Sequence, residues 1–263
     1  MTENARQPIN LVFLHGWGMN SAVFQPFIES LRQTLAVSGG VSQRFVIHAL
    51  DLPGYGDLID QPCCYTDLGL LAERVEDALP QHCVVLAWSM SGLIAQQLAI
   101  SGSKKMVGLV NLCSTPKFVQ AHQWPGIQGE VLRQFGQQLS KDHSKTIARF
   151  IAIQNMGQVD AKTKIKQMLD IIHTKPLATE QTLKEGLHLL ENTDLRAKLK
   201  RIKQPTLWIF GRNDALTPAK TADHIKTLQK ESEQIIIEKA SHAPFINHIQ
   251  ELKTPLLAFL HKI

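Results

Sequence analysis

Val84-Val85-Leu86-Ala87-Trp88-Ser89-Met90-Ser91-Gly92-Leu93 runs an apolar stretch into a serine and then into a helical pattern. Apolar at successive positions, Val84–Trp88 reads as a strand buried on both faces. Ala87 and Ser91 flank the serine with small side chains, which lets a strand and a following helix approach closely across a tight turn. A serine at such a turn is a candidate nucleophile. Read alone, Ser89 also fits the N-cap of an ordinary helix. The neighbouring segments have to decide.

Working outward, short apolar runs alternate with amphipathic stretches. Leu11–Leu14, Phe45–Leu50, Met106–Leu112, Thr206–Phe210 and Gln234–Glu238 read as further strands. Ser21–Leu35, Thr66–Leu79, Ser89–Ile100, Thr221–Gln229 and Ile249–His261 have helical spacing. Strands alternating with helices predict parallel crossovers and a mostly parallel central sheet with helices on both faces. Residues 116–200 break the alternation. They contain helical stretches at Gly129–Leu139, Ser144–Asn155, Ala161–His173 and Thr179–Glu191, and no convincing strand. The expected organisation is a core from residues 1–115 and 201–263, with 116–200 a helical lid. Insertions at the carboxyl ends of strands sit where ligands bind.

Loops after four further strands complete the pattern. Leu11-Val-Phe-Leu-His15-Gly16-Trp17-Gly18 is a strand entering an HG-x-G turn, with His15 expected to organise the loop. Asp51-Leu-Pro-Gly54-Tyr-Gly56 follows the next strand and resembles a loop common in one enzyme superfamily, which implies a structural role for its aspartate. Gly211-Arg-Asn-Asp214 and Ala240-Ser-His242-Ala-Pro-Phe245 place an aspartate and a histidine just past two later strands, with His248 the weaker substitute. The chain order Ser89, Asp214, His242, the elbow and the HG-x-G loop together resemble the α/β-hydrolases. The fold class expected is therefore the α/β-hydrolase fold. Both elbow glycines of the family's G-x-S-x-G pattern are replaced, by Ala87 and Ser91.

The chemistry requires these residue types. A serine hydroxyl is too weak an acid to attack unaided, so His242 would remove its proton and later protonate the leaving group. Asp214 would orient the imidazole. The resemblance places the oxyanion hole at the backbone N–H groups of Trp17 and Met90, which stabilise charge that develops only during reaction. The sequence has no HExxH helix, no Walker A loop and no Rossmann glycine pattern, so no metal and no cofactor are expected. A serine nucleophile also separates the chain from branches of the superfamily that use a carboxylate.

Composition sets the wider limits. With 44% hydrophobic and 19% charged residues among 263, the chain is of ordinary globular type. Its apolar runs fall far short of the ~18 residues of a membrane span, and Met1–Pro8 has no apolar signal-peptide region. Cys63, Cys64, Cys83 and Cys113 lack metal-ligand spacing and fit a reduced compartment. A cytoplasmic monomer is expected. Residues 117–200 hold 13 Lys/Arg against eight Asp/Glu, so the net charge of +5 sits in the insertion. A localised excess of this kind suits an acidic partner. No nucleic-acid motif accompanies it, and neither nucleic acid nor membrane is expected as a partner.

Several segments narrow the resemblance. Leu14-His-Gly-Trp-Gly-Met, Ala87-Trp-Ser-Met-Ser-Gly, Trp124-Pro-Gly-Ile, Phe135-Gly-Gln-Gln-Leu, Arg149-Phe-Ile-Ala-Ile-Gln-Asn-Met-Gly157 and Ala240-Ser-His-Ala-Pro-Phe-Ile are similar to the biotin-pathway esterases that demethylate pimeloyl-acyl-carrier-protein methyl ester. The two antiparallel strands usual upstream of the HG-x-G strand are expected to be reduced or absent. The resemblance implies a serine carboxylesterase acting through an acyl-enzyme on Ser89, with an acyl carrier protein as partner. It implies substrate contacts at Trp17, Ser89, Met90, Phe150, Ile151, Ala152, Ile153, Gln154 and His242. By periodicity alone, Phe150 fits a core position equally. The resemblance further implies carrier-protein contacts at Lys145, Arg149, Lys162 and Lys166, which otherwise read as solvated helix faces. A short-chain carboxylesterase without a carrier, a lyase or acyltransferase using the same triad, and a non-catalytic receptor are the competing readings.

Overall fold

The structure, a computed structural model, describes residues 7–37, 45–62, 64–155 and 160–263. Cys63, the first six residues and the Met156-Gly157 end of one motif lie outside them. Among the described residues six strands form one sheet: β1 (Ile9–Leu14), β2 (Phe45–Leu50), β3 (Cys83–Trp88), β4 (Met106–Leu112), β5 (Thr206–Gly211) and β6 (Glu233–Ile237). Their order is β2-β1-β3-β4-β5-β6, and every neighbouring pair is parallel. All six residues of β3 and of β5 are buried, which explains their unbroken apolar sequence.

The chain moves one way from β1 to β2 and the other way from β3 onward. Right-handed crossovers then put α1 (Gln25–Val37) on one face, with α2 (Leu68–Ala78), α3 (Ser91–Ser101) and α8 (Thr221–Leu228) on the other. After β6 come α9 (Pro244–Asn247) and α10 (Ile249–Leu260), and α10 packs with α1. The reversal falls between β1 and β3, whose registers pair Leu14 with Ala87. A crevice opens outside the carboxyl ends of strands at such a switch point. The HG-x-G loop and Ser89 emerge there, side by side.

Between β4 and β5 the insertion contributes α4 (Gly129–Leu139), α5 (His143–Gln154), α6 (Ala161–Ile172) and α7 (Glu180–Asn192), and no named strand among the described residues. Its neck is closed where Leu195 N–H donates to the Pro116 carbonyl at 2.9 Å and Lys117 pairs with Asp194 at 3.4 Å. Within it, α4 packs on α7 and α5 on α6.

Of the expected helices that start late, α1 and α3 do so for a reason visible in the backbone. The stretch from Ser21 opens as a 3₁₀ turn, Ser21–Phe24, capped by the Asn20 side chain, and α1 begins only at Gln25. Pro26 lacks an N–H and fits the first turn of a new helix. The other, α3, starts at Ser91 because Ser89 itself has a φ of 60°, outside helical space.

Candidate active site

Ser89 ends the nucleophile strand in the left-handed region, which a residue with a Cβ rarely adopts. The surroundings hold it there. Ser89 N–H donates to the Leu112 carbonyl at 3.0 Å, and the Ser114 hydroxyl donates to the Ser89 carbonyl at 2.7 Å. At the position where the family pattern has glycine, the Ser91 hydroxyl lies 2.8 Å from the Leu14 carbonyl and 3.0 Å from that of Trp88. The substituted residue thus ties the helix start to the HG-x-G strand. The indispensable small residue is Gly92, because a Cβ there would collide with Ser114. A Cβ on Gly16 would press on that of Ser89 at 3.0 Å.

The three chemistry-bearing residues meet. Ser89 Oγ lies 2.8 Å from His242 Nε2, and His242 Nδ1 lies 2.8 Å from Asp214 Oδ2. Asp214 is buried, and burial alone would raise its pKa. The neighbouring His242 charge and hydrogen bonds from His242 and Thr217 outweigh this and hold the carboxyl below its usual range. Leu216 and Thr217 N–H groups donate to Asp214 Oδ1 at 2.8 and 3.0 Å, and the Thr217 hydroxyl donates to Oδ2. An ionised Asp214 fixes the proton on His242 Nδ1, which leaves Nε2 to accept from Ser89. The Trp88 indole donates to the His242 carbonyl at 2.7 Å, and His242 N–H donates to the Gln154 carbonyl at 3.3 Å. His248 stands apart at the junction of α9 and α10.

Cys113 also reaches this corner. Its sulfur, Asp214 and His242 place three ligand-type atoms within 4.8 Å of one another. Burial first, then the Asp214 charge, push the Cys113 thiol well above its usual pKa. A protonated thiol beside a carboxylate already bonded on both oxygens suits a hydrogen-bonded triad and is poorly prepared to ligate a metal.

The oxyanion candidates lie next to the serine. Met90 N–H points from the amino end of α3, and Trp17 N–H from the HG-x-G turn. Among the described residues neither donates to a protein acceptor. The turn is set by His15: Leu52 N–H donates to its Nε2 at 3.1 Å, so Nδ1 carries the proton toward the Gly16 carbonyl at 2.9 Å. Burial pushes the His15 pKa down to about 4, against the opposing hydrogen bond to Gly16 and the Asp51 charge. Asp51 accepts from Ser21 N–H at 2.6 Å, Asp57 N–H at 2.9 Å and Lys175 Nζ at 2.8 Å. Although burial opposes it, this set, led by Lys175, holds the Asp51 carboxyl below its usual range.

The insertion covers the site. Trp17 is fully buried, donates its indole N–H to the Leu183 carbonyl at 2.8 Å, and meets Phe150 edge-on at 4.7 Å. Phe135 completes an aromatic cluster, 5.6 Å from Phe150. On α7, Gly186 lets the helix lie on Trp17 and Met90, whose atoms a Cβ would crowd at 2.7 and 3.3 Å. Phe150, Ile151 and Gln154 are buried, whereas Ile153 is half-buried and Ala152 is exposed. The Phe150–Gln154 stretch is a helix, so consecutive residues point around it, and Ala152 faces away from the buried side. Among the described residues, neither polar atom of the buried Gln154 amide has a partner. Lys145, Arg149, Lys162 and Lys166 are all exposed, two on α5 and two on α6. Sequence reasoning missed Trp88, Ser114 and Thr217, whose roles come from chain-distant contacts that no local pattern reports.

Residues 9–249 match the family model of the alpha/beta hydrolase fold. The chain is 39% identical over 264 residues to the pimeloyl-acyl-carrier-protein methyl ester esterase of Shewanella woodyi, covering 99% of this chain and 97% of the relative. The protein of the same name from Pseudoalteromonas atlantica is 38% identical over 252 residues, covering 94% and 93%. Among solved structures, an esterase from Exiguobacterium antarcticum superposes with a TM-score of 0.83 over 97% of this chain and 92% of that one. A bromoperoxidase from Bacillus anthracis reaches 0.81 over 97% and 92%. At 19% and 18% identity these two likenesses concern the fold, which hosts more than one chemistry. With its family match spanning sheet, elbow and insertion alike, the chain belongs to the alpha/beta hydrolases and, within them, to the family of the pimeloyl-acyl-carrier-protein methyl ester esterases.

Proposed function

We propose that this chain hydrolyses the methyl ester of pimeloyl-acyl-carrier protein to the free carboxylate and methanol, as the serine carboxylesterase of biotin synthesis. The observation that carries the reading is the 2.8 Å contact between Ser89 Oγ and His242 Nε2, in a chain aligned almost end to end with relatives of that name. Ser89 attacks the ester carbonyl as His242 takes its proton. Trp17 and Met90 N–H groups receive the oxyanion, and the tetrahedral intermediate collapses as methoxide leaves with the proton from His242. A water molecule, deprotonated by His242, then attacks the acyl-enzyme and releases the acid from Ser89.

In this reading residues 116–200 are a lid. Ser89 is 3% exposed and His242 1%, so substrate reaches them only when part of the insertion moves. The unpartnered Gln154 amide supports a polar substrate group beneath α5, since a buried amide without a partner costs about 1–3 kcal/mol. Lys145, Arg149, Lys162 and Lys166 form the docking face for the acidic carrier on two helices that pack together. The test offers methyl pimeloyl-carrier protein and free dimethyl pimelate at equal concentration and measures methanol release. Faster release from the carrier-linked ester is expected; equal rates would reduce the assignment to a general carboxylesterase.

A further inference from the structure

We infer that Asn155 and Asn247 form a clasp through which helix α5 of the insertion positions His242. The inference rests on the reading of His242 as the catalytic base. It begins with the end of α5. The last carbonyls of a helix have no partner within it. Here the Gln154 carbonyl accepts the N–H of His242 at 3.3 Å, a main-chain link from the insertion to the base itself.

The next residue, Asn155, is fully buried. Its amide nitrogen donates to the Ile151 carbonyl at 2.9 Å and lies 3.2 Å from Met168 Sδ on α6. Its oxygen accepts from Asn247 Nδ2 at 3.2 Å. One buried amide therefore joins the end of α5, the middle of α6 and the end of α9. Asn247 closes the short helix that starts two residues after His242. The segment from His242 to Asn247 is thus gripped at its first residue by Gln154 and at its last by Asn155. On the opposite side, the Trp88 indole holds the His242 carbonyl at 2.7 Å.

The consequence is a coupling. The base sits between the nucleophile strand and the insertion, and its reach to Ser89 depends on both. With α5 seated, the imidazole is aligned. With α5 displaced, His242 loses its main-chain acceptor and its loop loses the Asn247 anchor. Small misplacements of a catalytic group are costly to rate. Asn155 and Asn247 are positioning residues, since they reach the reacting atoms only through His242.

The experiment compares Asn247→Ala, Asn155→Ala, the double variant and His242→Ala in the full chain. It uses a small p-nitrophenyl ester, which needs no carrier, and a fluorophosphonate, whose rate of attachment to Ser89 reports activation of the nucleophile. Each single asparagine variant should lower kcat about tenfold with KM within about twofold, and should slow fluorophosphonate attachment by the same factor. Because both variants remove the same bond, the double should lose little more than the worse single. Asn247 is only partly buried, so its variant keeps the test open if Asn155→Ala folds poorly. Unchanged kcat and attachment rates, or a rise in KM alone, would overturn the clasp. So would a loss that tracks Tm and vanishes in assays run well below the melting transition. Ordinary turnover by His242→Ala would instead overturn the base assignment, independently of the clasp.

Discussion

The carboxyl edge of the sheet and the helical insertion above it are held together by different means. At the edge, Ser89, Asp214 and His242 are fixed by hydrogen bonds from strand ends and tight loops, including four to Asp214 alone. The insertion meets the core mainly through apolar packing, with polar ties that include Lys175 to Asp51 and Asp57, Asn20 to the Ile172 carbonyl, the Trp17 indole to Leu183, His242 N–H to Gln154 and Asn247 to Asn155. Preorganised charge belongs on rigid elements, whereas a cover that must admit substrate is built from contacts that can be broken and remade. The end of α5 crosses that division, because Gln154 and Asn155 reach His242 and Asn247.

The sharpest way to break that division is at the serine. Ser89→Ala should lower kcat/KM on any ester by about 10⁴-fold or more, and Asp214→Asn should cost a similar factor by mis-setting the imidazole tautomer. Normal turnover by Ser89→Ala would remove the chemistry from the sheet edge altogether.

A second test asks whether the edge is as rigid as its bonding implies. His15 is neutral in the folded chain, with its pKa pushed down to about 4, while an unfolded histidine titrates near 6.5. Below pH 6.5 the unfolded state takes up a proton that the folded state refuses. Stability is therefore full above about pH 6.5 and falls until about pH 4, by on the order of 3 kcal/mol from this residue. Urea titrations at pH 7 and 4.5 should show a steeper loss for the parent than for His15→Gln. Equal losses would mean that the loop tolerates a charged imidazole.

The insertion is tested by charge. Arg149→Glu with Lys162→Glu should raise KM for a carrier-linked ester about tenfold, or ~1.4 kcal/mol, and leave a small p-nitrophenyl ester almost unaffected. The parent's advantage on the carrier should fade as salt rises past ~0.15 M, where the Debye length is about 8 Å. Arg149 also stacks on Phe135 at 5.8 Å, so an equal loss on both substrates would point to damaged packing. No loss on either would leave these cations as solvated surface.

The smallest effect belongs to the elbow. Ser91→Gly removes a hydroxyl tie to Leu14 or Trp88 and should cost about 1 kcal/mol of stability, with activity kept within a few-fold. Gly92→Ala should be worse, about 1–3 kcal/mol, because its Cβ displaces Ser114, which holds the Ser89 carbonyl. Thermal melts of the two variants compare them directly. The reverse order would mean that position 91 is the one that must be small.

Sequence by itself determined the alternation of strands and helices, the strands within one or two residues at each end, and the order Ser89, Asp214, His242 along the chain. These are local properties. Continuous apolar runs report burial on both faces, and glycine turns report where a strand must stop. It also marked residues 116–200 as a helical interruption, because a 3.6-residue spacing without strands is visible in any window. Only the tertiary structure decided that Gly92, and not position 91, carries the close approach, since the colliding partner is Ser114, at the end of another strand. It alone turned Ala152 outward between buried Ile151 and half-buried Ile153, and it alone brought Asn155 to Asn247 and Gln154 to His242. Those contacts join residues about 90 positions apart. Periodicity fixes which face of a helix is apolar, but which partner meets its polar end depends on how the insertion folds back over the sheet.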